Sequence, residues 1–78
     1  MRVAFIPHAL DRMKKRGITE KMVLETLKDP EKLEEGYKGR KIAQKMFNDK
    51  LLRLIYEEKE NELEVITAYL TSKVDKYG

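Results

Sequence analysis

The sequence predicts an α+β domain in which two N-terminal helices pack on a four-stranded antiparallel sheet. Three observations carry that expectation. Apolar residues recur at helical spacing as far as Lys28, Asp29-Pro30 then ends the pattern, and beyond it short apolar runs alternate with turn-forming residues.

Met1 to Ile6 is a short lead, apolar at Val3, Phe5 and Ile6, and Pro7 supplies the fixed φ that suits a first helical position. The first helix is expected from Pro7 to Arg16, with Ala9, Leu10 and Met13 inward and Lys14, Lys15 and Arg16 at its negative dipole end. Gly17 offers the left-handed stop that lets Ile18 fold back. Thr19 is the expected N-cap of a second helix from Glu20 to Lys28, which turns Val23, Leu24 and Leu27 inward. Strands are expected at Leu33–Tyr37, Lys41–Phe47, Leu51–Glu57 and Leu63–Ser72, as a meander whose short acidic first strand lies at an edge. A tight turn near Glu60 sets Arg53 opposite Thr67, Ile55 opposite Val65 and Leu51 opposite Tyr69. Leu52, Leu54, Ile66, Ala68 and Leu70 then face the helices, leaving Arg53, Thr67 and Tyr69 on the more polar face. Lys73 to Gly78 reads as a loose tail.

At 78 residues the chain is one domain, residues 1–78, with a thin core and no room for an enclosed cofactor cavity. No cofactor is expected. Cysteine is absent and His8 is the only histidine, which excludes thiolate sites and argues against a bound metal. No apolar stretch resembles a leader or a membrane span, so a cytoplasmic protein without membrane partners is expected. Charged residues make up 40% of the chain, a bias towards Lys and Glu of the kind seen in proteins from hot environments. The formal charge of +3 comes from residues 1–30, where seven Lys or Arg face four Asp or Glu. That excess suits an acidic partner.

The candidate chemistry begins in the first helix. His8, Arg12 and Arg16 recur every four residues, each step moving only about 40° around the axis, so they form one sloping stripe able to grip a phosphate. Metal-free RNA cleavage needs a base for the 2′-hydroxyl, an acid for the leaving oxygen and fixed positive charge on the phosphate. His8 suits the first two roles, Arg53 binds the phosphate, and Tyr69 donates a proton or stacks on a base. Arg12, Arg16, Lys15 and Thr67 are the expected RNA- and phosphate-binding residues. Each has a plainer role too: His8 bonded to backbone, Arg12 paired with Asp11 or Glu20, Arg16 with the acidic strand, Lys15 solvated, Tyr69 in cross-strand packing. Tyr77, near the terminus, is a further weak candidate.

The run His8-Ala9-Leu10-Asp11-Arg12-Met13-Lys14-Lys15-Arg16-Gly17-Ile18, followed by the strand segments Leu51 to Tyr56 and Val65 to Thr71, resembles a small domain of unknown function grouped with the RelE/ParE-like toxins, BrnT-like members among them. The resemblance implies a toxin-like component of a toxin–antitoxin system, a metal-independent endoribonuclease that cuts RNA by 2′-hydroxyl attack, in some members on the ribosome. It also implies a small acidic antitoxin-like partner. The alternative is a non-catalytic nucleic-acid- or protein-binding module of the same fold. An open strand edge permits a homodimer.

Overall fold

The computed structural model describes residues 2–77, and the side chain of Tyr77 lies outside what it describes. In chain order the elements are β1 (Arg2–Phe5), α1 (Pro7–Arg16), α2 (Glu20–Lys28), β2 (Lys32–Glu35), a 3-10 turn (Tyr37–Gly39), β3 (Lys41–Phe47), β4 (Lys50–Lys59), β5 (Glu62–Thr71) and α3 (Val74–Tyr77). The expected four-stranded antiparallel sheet is corrected to a five-stranded mixed sheet in the order β1-β5-β4-β3-β2. The extra strand is β1, which pairs in parallel with β5 from Arg2–Glu62 to Phe5–Val65. A parallel neighbour needs a crossover, here almost the whole chain, so no local turn announces it. The expected tail is corrected at Val74–Tyr77, which forms the short α3.

The helices form where capping chemistry is in place. Thr19 Oγ1 accepts from the Met22 amide at 3.1 Å, closing the start of α2. Gly17 sits at φ +67° and ends α1, its cap N–H groups bonding back to the carbonyls of Lys14 and Met13. In α2 Val23 and Thr26 are buried and Leu27 packs against the core as expected, whereas Leu24 is 46% exposed. Thr26 stays buried because its hydroxyl donates to the Met22 carbonyl at 2.8 Å. Leu10 of α1 is likewise exposed.

The β4–β5 hairpin turns on Glu60 and Asn61, with Lys59 opposite Glu62. Its expected register is corrected. A bulge places Ile55 opposite Thr67 but Tyr56 opposite Val65, so Ile66 is the extra residue on β5. Beyond it Arg53 faces Tyr69 and Leu51 faces Thr71, two residues from the expected pairing, which leaves the faces of these residues unchanged. Before it the parity flips, and Val65 takes the core position expected of Ile66. The core is Ala9, Met13, Ile18 and Val23 of the helical layer against Ala43, Leu52, Leu54, Tyr56, Val65 and Ala68 of the sheet. Arg53, Gln44, Ile42 and Ile55 alternate with these residues and project from the sheet face opposite α1 and α2.

Candidate functional site

A row of four side chains crosses four strands on that face. Lys32 pairs with Gln44, Gln44 with Arg53, and Arg53 with Tyr69, each in direct register. Cross-strand partners share a face, so the row is a consequence of register alone. Arg53 is its hub: Nε donates to Gln44 Oε1 at 2.6 Å, Nη1 to the Tyr69 hydroxyl at 2.6 Å, and Nη2 to Glu34 Oε1 at 2.7 Å. The guanidinium also lies 5.8 Å from the centre of the Tyr69 ring. Glu34 belongs to the adjoining row with Ile42, Ile55 and Thr67, and its second oxygen stands 3.9 Å from Lys32 Nζ.

Arg53 is 8% exposed and Gln44 2%, values at which an unmatched charge or amide is costly. Here both are matched, and among the described residues no buried side-chain nitrogen or oxygen lacks a partner. A fork-shaped cation held at three points keeps its geometry when something binds beside it, which is preorganisation for recognising a planar or anionic group. Two shallow grooves flank the row. One, of about 420 Å³, is lined by Gly36, Tyr37, Lys38, Arg40, Ile42 and Ile55. The other, of about 250 Å³, is lined by Glu31, Lys32, Gln44, Met46, Leu51 and Val74, so α3 borders this face.

The structure brings Arg53, Tyr69 and Thr67 to one face, as the strand pattern implies. It does not bring His8 to them. His8 is exposed near the start of α1, whose Ala9 and Met13 join the core on the Leu52, Leu54 and Ala68 side, the face opposite to that of Arg53. Arg12 is half-buried on the same helix. Lys15 pairs with Asp11 at 3.3 Å, both exposed. Arg16 Nη1 donates to the Ala68 carbonyl at 2.8 Å, capping the stretch of β5 that runs past the end of β1. The Arg53 guanidinium and the basic stripe of α1 thus belong to elements on opposite faces of the sheet, with Arg16 reaching the edge of β5 at Ala68, the residue before Tyr69.

Sequence reasoning missed Lys32, Glu34, Gln44 and Tyr37. A signal existed for Gln44, the only glutamine, which interrupts the run Ile42-Ala43-Gln44 across the hairpin from Arg53. Two side chains with displaced proton affinities, Lys41 and Tyr56, project from the other face of the sheet. Lys41 is raised above 10.5 by its hydrogen bond to Glu58 and by that carboxylate's charge, and Tyr56 is raised above 10.0 by burial first and Glu58 second. Among the described residues no group of three metal-ligating side chains assembles, and no helix is long and apolar enough to cross a membrane.

No curated protein and no solved structure matches the chain. A family match covers residues 5–70, nearly the whole sheet and both longer helices. The chain belongs to the family described as Domain of unknown function (DUF4258).

Proposed function

We propose that the domain binds single-stranded RNA on the sheet face opposite α1 and α2, as the RNA-directed member of a toxin–antitoxin pair of the RelE/ParE-like kind. The observation that carries this reading is the ordered row Lys32, Gln44, Arg53 and Tyr69, with a second aromatic, Tyr37, standing exposed beside it. Single-stranded nucleic acid is held by cations that follow the backbone and by aromatic rings on which bases stack, and a sheet face that offers both is a recurrent platform for it. The resemblance of the first helix to the toxin group supports the toxin–antitoxin part of the reading, and a small acidic antitoxin-like protein is the partner it implies.

The test is fluorescence anisotropy with a labelled single-stranded RNA of twelve nucleotides, run across a salt series. Saturable binding is expected, weakening with salt at a slope near −2 if about three phosphates are neutralised. Lys32→Glu and Tyr69→Ala should weaken it, and Lys15→Glu should leave it within about twofold. Absence of saturable binding at low salt, or loss on Lys15→Glu with Lys32→Glu unaffected, overturns the reading.

Cleavage by 2′-hydroxyl attack is the second reading, favoured by one observation: the Tyr69 hydroxyl, a proton carrier, accepts from a guanidinium at 2.6 Å. In that arrangement Arg53 holds the phosphate, the 2′-oxygen bonds to phosphorus as its proton passes to water, the bond to the 5′-oxygen breaks with a proton from the Tyr69 hydroxyl, and His8 has no part. Products ending in 2′,3′-cyclic phosphate from wild type, absent with Tyr69→Phe and retained with His8→Ala, are expected from it; intact RNA leaves binding as the activity.

A further inference from the structure

We propose that the groove beside the Tyr37–Gly39 turn is a subsite for one unstacked nucleobase, with the attached phosphate held by Lys38. The inference rests on the RNA reading above and adds a position, a contact and residues to it.

Tyr37 is 82% exposed, with the Lys38 ammonium 5.5 Å from its ring centre. Its backbone is nevertheless built with care. The Gly36 N–H donates to the Arg40 carbonyl at 2.6 Å and the Arg40 N–H to the Tyr37 carbonyl at 3.3 Å, closing a tight loop. A Cβ at Gly36 would lie 3.0 Å from that Arg40 oxygen, so any side chain there would require the loop to give by a few tenths of an ångström. Lys38 and Gly39 follow at φ +58° and +78°; left-handed backbone is disfavoured for lysine, so the turn holds its shape against a local preference. A ring presented on such a turn loses little backbone freedom on binding.

The groove next to it has a floor of Ile42 and Ile55 and a volume of about 420 Å³, within the range of sites that take one small ligand, and it opens to solvent on the polar face. Lys38 Nζ lies 5.5 Å from the Tyr37 ring centre, and Arg40, already paired with Glu57 at 3.0 Å, completes the rim. An aromatic wall, an aliphatic floor and a cation at the mouth match a planar base that carries a negative phosphate. An aliphatic peptide would use the floor and leave the cations idle. The groove also continues the proposed interface: Ile42 pairs with Glu34, which holds Arg53, and Ile55 is two residues along β4 from Arg53.

The experiment compares wild type with Tyr37→Ala, Tyr37→Leu and Tyr37→Trp in binding labelled oligouridylate and oligoadenylate of eight nucleotides, with methyl resonances of Ile42 and Ile55 followed by NMR. Loss of one stacked base corresponds to about a 5- to 150-fold weakening, expected for Tyr37→Ala and Tyr37→Leu but not for Tyr37→Trp. The Ile42 and Ile55 methyls should shift on RNA addition in wild type only where the aromatic is kept. Unchanged affinity in Tyr37→Ala together with loss in Lys32→Glu overturns the subsite and leaves the RNA reading standing. Failure of every oligonucleotide to bind wild type overturns both. A wild-type dimer that Tyr37→Ala converts to monomer assigns the groove to a second copy of the chain and also overturns the proposal.

Discussion

Replacing Arg53 by methionine removes three hydrogen bonds from a cation while keeping most of the apolar stem in place. The Gln44 acceptor, on a side chain 2% exposed, then lacks this donor, a loss of about 1–3 kcal/mol. The Glu34 side chain is 34% exposed and returns to water, so its share of the ion pair is worth nearer ~1 kcal/mol than the several of a fully buried pair. Together these give a destabilisation of about 2–4 kcal/mol. For a domain of this size that corresponds to a fall in Tm of roughly 10–25 °C. Glu34→Ala removes a far more exposed group, yet it takes a carboxylate partner from a cation whose side chain is only 10% exposed. It should therefore cost well above the ~0.5 kcal/mol of an ordinary surface change. The double variant should lose about 1–2 kcal/mol less than the two singles added together. Urea denaturation followed by far-UV circular dichroism reads all three. Singles that each lose under about 0.5 kcal/mol, with additive effects, would refute the description of Arg53 as the hub of this face.

Three smaller perturbations test the elements that position the face. Thr19→Ala removes the acceptor for the Met22 amide and should cost about 0.5–2 kcal/mol in the same urea assay, with Thr19→Ser close to wild type. Gly17→Ala meets no neighbouring atom but forces a Cβ onto φ +67°, so thermal melts should show a loss of about 1 kcal/mol from backbone strain alone. The folded Tyr56 phenol keeps its proton above pH 10.0, where the unfolded one releases it, so the folded state binds more protons and stability falls as pH rises from about 10. Urea midpoints measured from pH 9 to 11.5 should fall more steeply for wild type than for Tyr56→Phe; the fall remaining in that variant includes Lys41, whose amine is also raised, by Glu58.

The helices were legible because their signals are local. Pro7, Gly17, Thr19 and Asp29-Pro30 each act within a few residues, and both helix spans follow from them. The strands were legible wherever a turn joined them, as at Asn48-Asp49 between Phe47 and Lys50. What escaped was non-local or compensated. β1 finds its partner about sixty positions away in β5, and the Ile66 bulge adds a residue that no alternation pattern marks. Leu24 and Thr26 exchange places because a threonine that bonds its own helix carbonyl can enter a core. For the candidate site, Arg53 and Tyr69 could be put on one face from strand parity. Gln44 was reachable by the same arithmetic across the Asn48-Asp49 turn, whereas Glu34 required the position of an edge strand only four residues long. That α1 packs on the face opposite Arg53 was legible too, since the same parity turns Leu52, Leu54 and Ala68 towards the helices.

The most direct test of the RNA-binding face is a titration of ¹⁵N-labelled protein with the single-stranded twelve-nucleotide RNA, mapped by amide and side-chain shifts. The proposal predicts that the largest changes fall on Lys32, Gln44, Arg53, Tyr69 and the Tyr37 turn, with His8 to Arg16 nearly still. Changes centred on α1, with the Arg53 row unmoved, would contradict it and return the anion site to the basic helix.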